Sequence, residues 1–373
     1  MNGDLDSAFV PVAVAHAPGR VNLLGEHTDY NDGFVLPIAL AQRTTVSLGP
    51  ASGPAFHLSS KESGETIDFT LDRLPDEAFA RYVFGCLQQV VGRGHAVPTL
   101  DIQVTSEVPI GVGLSSSAAL EVAMLRALRL LLTLPIDDVE IARMAQRAEV
   151  EFAGVRCGIM DQMASSLADP THALFLDART LATERWTLPP GCSVLVLDSG
   201  VQRALVTSAF NQRRRECAEA SARLGVGSLR DVEGLERVET LPEPWRRRAR
   251  HVVSENARVL RAVADADAAV LGRMMNASHA SLRDDYEVSV AALDQLVALL
   301  QEHAAVFGAK LTGAGFGGAC VAVVESSCLG EVANTTLRRF AATGGRGALL
   351  APRSLELDLG VQRIECSVRR RHE

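Results

Sequence analysis

Residues 100–132, LDIQVTSEVPIGVGLSSSAALEVAMLRALRLLL, constrain this chain more than any other stretch. LDIQVTSEV (100–108) alternates apolar and polar side chains, the pattern of a half-buried strand. Two glycines and three serines follow, and then a run that is apolar on nearly all sides (117–132). Its only charges are Glu121, Arg126 and Arg129. At ~100° per residue they fall within a sector of about 140°, so most of this helix has to be covered. Strand, glycine loop and buried helix in succession require a sheet with helices packed on it.

The same succession suggests an anion site. The first N–H groups of a helix have no internal partner, and the macrodipole adds positive charge there. Gly111 and Gly113 let backbone approach a ligand without a Cβ in the way. Ser115, Ser116 and Ser117 are able to cap the helix, bind a phosphate oxygen, or join the oxygen shell of magnesium. The lysine of a Walker A loop is absent. An ordinary N-cap after a tight turn is the plain alternative.

The 373 residues exceed one compact core and suit two domains. The net charge of −8 argues against nucleic acid as the main partner. The basic runs Arg213–Arg215 and Arg246–Arg248 read as solvated helix faces. The N-terminus lacks the pattern of a secretory signal, and no run approaches the ~20 apolar residues that span a bilayer. Seven scattered cysteines without a CxxC pair fit a reducing cytoplasm, with no disulfide frame and no zinc site.

Strands are expected at 10–16, at 34–49 with an interruption at Pro37, at 172–180 and at 192–201. Helices are expected at 136–154, starting near Asp137 or Asp138, and at 203–224, 247–265, 267–282 and 286–306. Pro189-Pro190-Gly191 is a turn signal and the expected boundary between domains 1–188 and 189–373. The final ~25 residues read as a possible strand returning to the first domain. GAGFGG (313–318) has GxGxxG spacing, but ACVAVVES after it is β-like, whereas the dinucleotide fingerprint opens a helix. It reads as a flexible loop between two strands.

APGRVNLLGEHTDYNDG (17–33) gathers Arg20, Glu26, His27 and Asp29 beside a Pro-Gly-Arg turn. With one histidine and no second cluster, a metal site is the weaker reading. Carboxylates accept from sugar hydroxyls and imidazole donates or accepts, so a polyol site fits better. Asp161 sits among Ile159, Met160, Gln162 and Met163, where a carboxylate needs a partner or a task. Glu149 precedes it on the helix before Cys157-Gly158. One carboxylate is suited to a metal and the other to the substrate.

Taken together, HAPGRVNLLGEHTDYNDGFVLPIAL, PIGVGLSSSAALEVA, CGIMDQMASSLAD and LTGAGFGGACVAV resemble, in order, the motifs of the GHMP small-molecule kinases, and within them the galactokinases. The resemblance implies an α+β fold of two domains, ribosomal-S5-like then ferredoxin-like, with the site in the cleft between. It implies an ATP-dependent kinase that converts α-D-galactose to galactose 1-phosphate in the Leloir pathway. Asp161 matches the catalytic aspartate and Arg20 its arginine partner. Glu26, His27, Asp29 and Gly158 match the sugar-binding set. Gly111, Gly113, Leu114, Ser115, Ser116 and Ser117 match the ATP loop, and Ser117 and Glu149 the Mg2+ ligands. The implied partners are galactose and ATP, in a cytoplasmic monomer or weak homo-oligomer without nucleic acid or membrane.

Two positions depart from the pattern. Phe210 stands where the family usually has a tyrosine whose hydroxyl touches the sugar. Phe79 stands where an aromatic, often tryptophan, stacks on adenine. A related sugar 1-kinase acting on N-acetylgalactosamine or L-arabinose is the alternative within enzymes. Outside them is a non-catalytic galactose and ATP sensor, whose serine-alanine loop is shortened, whereas Ser115 to Ala119 is complete here.

Overall fold

The computed structural model describes residues 9–202, 206–265 and 267–352. The first half forms β1 (Ala13–Asn22), β2 (Phe34–Val35), β3 (Pro37–Pro50), β4 (Phe56–Ser60), β5 (Thr66–Phe69), α1 (Ala78–Val91), β6 (Leu100–Ser106), α2 (Ser116–Leu132), α3 (Asp138–Ala148), α4 (Met160–Leu167), β7 (His172–Asp177) and β8 (Thr183–Thr187). Its sheet is mixed, in the order β2-β7-β3-β6-β4-β5, with β1 on β3 and β8 on β7. The pair β4–β6 is parallel.

The second half forms β9 (Cys192–Asp198), α5 (Val206–Leu224), α6 (Trp245–Asp265), α7 (Ala268–Asp284), α8 (Ala291–Gln301), β10 (Val306–Leu311), β11 (Ala319–Glu325), α9 (Leu329–Ala342) and β12 (Ala348–Ala351). Its four strands pair antiparallel in the order β10-β11-β9-β12. The GAGFGG segment is the loop between β10 and β11. The molecule is an α+β fold of two halves, each a sheet with its own helices.

Each half has its own core. Val46, Leu48, Ile102 and Val104 of the first sheet meet Leu87, Val122, Leu125 and Met144 of the helices. Leu195, Leu197 and Ala322 of the second sheet meet Cys217, Val252, Leu296 and Leu337. A third apolar cluster joins Val21, Leu23, Leu36 and Ile38 to Val196, Met275 and Val321, fastening the halves along a seam.

Several expectations change in detail. Leu36 interrupts the 34–49 strand just before Pro37, whose missing N–H suits a strand start. Pro-Gly-Arg is not a turn but a bulge inside β1, with the register shifting between Pro18 and Arg20. Bulges re-aim side chains, and this one sends Arg20 into the seam. Glu121 leaves the polar sector of α2 and is wholly buried. The basic runs are not solvated faces throughout: Arg213 and Arg248 are buried and both reach Glu216. Residues 353–373, most of the expected return strand, lie outside the described residues, while β12 pairs with β9.

Candidate active site

The bulge in β1, the loop before α2 and the first turn of α4 meet at Asp161. Arg20 is 4% exposed, and its backbone N–H donates to the Leu114 carbonyl at 3.0 Å. Its Nη1 donates to the Gly113 carbonyl at 2.7 Å. Nε and Nη2 approach Asp161 Oδ1 at 2.8 and 2.6 Å. A Cβ on Gly19 would stand 2.7 Å from the Leu114 carbonyl, so glycine is what lets β1 press against this loop.

Ser115 completes the grip on Asp161. It has φ 60 and ψ 48, a left-handed conformation that is uncommon outside glycine. Its hydroxyl does not cap α2 but donates to Asp161 Oδ2 at 2.5 Å. Asp161 therefore has charged donors on one oxygen and a hydroxyl on the other. Ser116 and Ser117 begin α2, with no side chain capping its first N–H groups.

Around Asp161 opens a cavity of about 310 Å³, lined by Arg20, Glu26, His27, Asp29, Gly111, Gly113, Ser115, Ser116, Ser117, Glu149, Gly158 and Phe210. All four quoted motifs reach it, the glycine-rich loop through Gly313 and Ala314, together with Phe210 from α5. Asp29 Oδ2 accepts from the Met160 N–H at 3.2 Å. A Cβ on Gly158 would lie 2.0 Å from that oxygen, so only glycine fits there. Loss of water, with Asp161 nearby, pushes the Asp29 carboxyl up to about 6.

Glu26 is bound more tightly than sequence reasoning foresaw. Its carboxylate pairs with Lys310 on β10, and both are buried. Gly313 N–H of the glycine-rich loop approaches its other oxygen at 3.4 Å. Burial raises the Glu26 carboxyl even so. Breaking such a buried pair from one side typically costs about 3–5 kcal/mol. Lys310 is one of only two lysines in an arginine-rich sequence. That lone lysine in an apolar strand was the signal.

Glu149 lies in a π-helical turn, Glu149–Ala153, that ends α3 at Gly154 (φ 77). Such turns cluster at functional sites. Its carboxylate accepts from Ser117 Oγ at 3.2 Å and from Gln162 Nε2 at 2.7 Å. Burial, then the charge of Asp161, pushes it up to about 7. Behind it Glu121 also faces Gln162 Nε2, at 3.4 Å, and burial lifts its carboxyl well above the usual range. No cationic side chain forms an ion pair with Glu149 or Glu121 among the described residues.

A second cavity, of about 410 Å³, adjoins the first at Gly111, Ser116 and Ser117. Phe79 and Tyr82, one helical turn apart on α1, line it with Thr44 and Leu120. The motif reading passes over Tyr82, although FARY (79–82) spaces it one helical turn from Phe79. Leu114 lines neither cavity: its side chain is fully buried in the seam, and only its backbone faces the loop.

The profile described as GHMP kinases N terminal domain matches residues 79–169, and GHMP kinases C terminal matches 259–333. The galactokinase galactose-binding signature matches residues 6–50. A galactokinase from Roseiflexus sp. (strain RS-1) is 42% identical over 353 residues, which cover 91% of this chain and 90% of that one. The crystal structure of Lactococcus lactis galactokinase complexed with galactose superposes with TM-score 0.84 at 31% identity, covering 90% and 92% of the two chains. Methanococcus jannaschii mevalonate kinase superposes at TM-score 0.66 with 17% identity, covering 92% and 98%, a likeness of fold alone. No helix of the described residues is long and apolar enough to cross a membrane.

Proposed function

The chain belongs to the galactokinases of the GHMP kinase superfamily, and from that premise we propose how its own residues phosphorylate galactose with ATP. The product is galactose 1-phosphate, formed at the anomeric hydroxyl. Asp161 faces that hydroxyl. Arg20 holds Asp161 and meets the transferring phosphoryl group. One observation carries the reading: the Asp161 carboxylate stands on the cavity wall that the polyol loop and the glycine-serine loop share.

The division of labour follows from chemistry. Phosphoryl transfer passes through a loose transition state, so positioning and charge neutralisation supply most of the catalysis. Glu26, His27, Asp29 and backbone at Gly158 grip the sugar hydroxyls, and Phe210 walls the sugar with its ring. Backbone at Gly111, Gly113 and Leu114, with Ser116, Ser117 and the start of α2, cradles the phosphates. Ser115 acts from behind the phosphates, holding Asp161 still. Phe79 stacks on adenine in the second cavity. The hydroxyl proton, leaving late, passes to the Asp161 carboxylate as an acceptor already fixed in place.

Ser117 and Glu149 offer the oxygen donors that Mg2+ prefers. A buried carboxylate without a cationic partner, beside the phosphate loop, fits such an ion. When bound, the ion supplies positive charge to the ATP phosphates. We divide the chain at 188/189, with sugar loop, phosphate loop and Asp161 before it and the glycine-rich loop after.

The test is ADP release with Mg-ATP over D-galactose, N-acetylgalactosamine, L-arabinose, D-glucose and 2-deoxygalactose, with Asp161→Asn as the blank. Galactose should lead. The variant should lose at least about a hundredfold in kcat, while galactose still raises its melting temperature. A variant with near-native kcat would remove Asp161 from the mechanism.

A further inference from the structure

Behind the sugar side of the cavity lies a chain of polar atoms that the reaction does not explain. Cys217 Sγ on α5 is 3.1 Å from the Tyr286 hydroxyl. That hydroxyl is 2.7 Å from the Tyr30 hydroxyl. The Tyr30 hydroxyl is 2.8 Å from Nδ1 of His27. Tyr286 is wholly buried, and Cys217 is 1% exposed. The far nitrogen of His27, Nε2, is buried without a hydrogen bond of standard geometry, the Ala314 backbone standing near the ring as an acceptor, although the imidazole lines the cavity. His27 itself is held at φ 63, a left-handed conformation, with Phe210 and Tyr286 rings 5.6 and 4.7 Å from its own.

Each hydroxyl in this chain has one proton, so the chain runs in one of two directions. Protons pointing toward Cys217 would end on a thiol sulfur, a weak acceptor. They would also leave Nε2 as a bare lone pair. Protons pointing toward His27 end on an unprotonated imidazole nitrogen, a far stronger acceptor, and begin at the thiol as a weak donor. The charge state allows this: burial, and next His251, hold His27 well below its ordinary value, so the ring is neutral and has one proton to place. The Ala314 backbone beside the ring favours a proton on it, as an acceptor would.

We propose that Cys217, Tyr286 and Tyr30 form a directed relay that fixes His27 as an Nε2–H donor toward one oxygen of the sugar. Tyr30 and Tyr286 are positioning residues for specificity. They act through His27, and the claim rests on His27 facing the sugar. A histidine free to exchange tautomers serves a hydroxyl only part of the time. A histidine locked by Tyr30 presents a donor permanently, and it selects a sugar with an acceptor oxygen at that place.

The experiment measures kcat and KM of the full-length enzyme, with Tyr30→Phe, Tyr286→Phe and His27→Gln, on D-galactose and its 2-, 3-, 4- and 6-deoxy analogues. Tyr30→Phe should raise the galactose KM roughly fivefold to tenfold, about 1–1.4 kcal/mol as an affinity, with kcat within twofold. Tyr286→Phe should do so more weakly. For one analogue, the one lacking the oxygen that His27 serves, the Tyr30→Phe ratio should fall to about one. An equal rise for every analogue would mean that Tyr30 only packs, or that Nε2 serves Ala314, and overturns the relay. So would an unchanged galactose KM. His27→Gln separates the two layers of the claim. If it leaves KM unchanged, His27 does not serve the sugar at all; if it raises KM while Tyr30→Phe does not, the relay alone fails. Long-range imidazole ¹H–¹⁵N spectra give a readout without turnover: Nε2–H in the native protein, mixed tautomers in Tyr30→Phe. A native Nδ1–H tautomer overturns the proposal.

Discussion

Asp161 and Glu149 face one cavity and are supported in opposite ways. Asp161 has a guanidinium against one oxygen and a serine hydroxyl against the other. Glu149 has a hydroxyl, an amide and a second buried carboxyl nearby. The protein has finished the electrostatics of the first carboxylate and left those of the second open. In the reading proposed above, the open one lies beside the phosphates and their ion. A site for charged ligands is built incomplete on the side where the ligand brings the missing charge.

Arg20→Met breaks this contrast most severely, because it leaves Asp161 as poorly supported as Glu149. Losing a donor at the developing charge typically costs about 10²–10³ in kcat, and steady-state rates should show a loss of that size. A loss under tenfold would mean that Ser115 alone holds the aspartate and that no phosphoryl charge meets Arg20.

Glu149→Gln probes the other side. The apparent KM for Mg-ATP should rise about tenfold or more, the equivalent of 1.4 kcal/mol, with the galactose KM nearly unchanged. Stability should change with a definite sign. A folded-state carboxyl raised from 4.5 to about 7 binds its proton more tightly folded than unfolded. Its stabilising contribution is full below about 4.5 and is lost as pH rises through 7. The melting temperature without ligand should fall across that window, less steeply in Glu149→Gln, and Mg2+ should restore part of it. Equal slopes in the two proteins would remove Glu149 as the origin.

Asp29 gives a smaller effect of pH on binding. The sugar contact proposed for it needs the ionised form, and its carboxyl is pushed up to about 6. The galactose KM should therefore rise as pH falls through 6, where an ordinary aspartate would hold its affinity to nearer 4. Asp29→Asn should have a higher KM that is flat across this range. A KM in the native enzyme that is flat down to pH 5 would show that Asp29 stays ionised or does not touch the sugar.

The two ends of the cavity differ in how far the sequence discloses them. The loop that we assign to the phosphates was legible as a structure, because Gly111, Gly113 and the alternating strand before them mark a turn into a helix start. Asp161 was legible as a carboxylate in an apolar segment, and Arg20 through the motif around it. What escaped depends on contacts between distant segments. Lys310 reaches Glu26 across the seam, Tyr286 reaches Tyr30 from just beyond the end of α7, and Glu121 reads as polar surface until α4 covers it. Periodicity describes one helix at a time, so it placed Glu121 on a face without knowing what that face would meet.

Phe210 supplies the finest comparison, between the wall this enzyme has and the one its family usually has. The ring lines the cavity, 5.3 Å from Tyr30 and 5.6 Å from His27. Tyr30 cannot replace the missing hydroxyl, because its own is shared between His27 and Tyr286. In the proposed site, a sugar oxygen that a tyrosine would serve turns to water instead. Phe210→Tyr should return one neutral hydrogen bond, about 0.5–1.5 kcal/mol, and lower the galactose KM twofold to tenfold at constant kcat, about 0.4–1.4 kcal/mol on the same scale. The gain should exceed that for whichever deoxygalactose lacks the matching oxygen. An unchanged or higher KM would turn Phe210 away from the sugar. Its ring would then serve to hold His27 and Tyr30 together, and the selectivity of this wall would rest on the histidine alone.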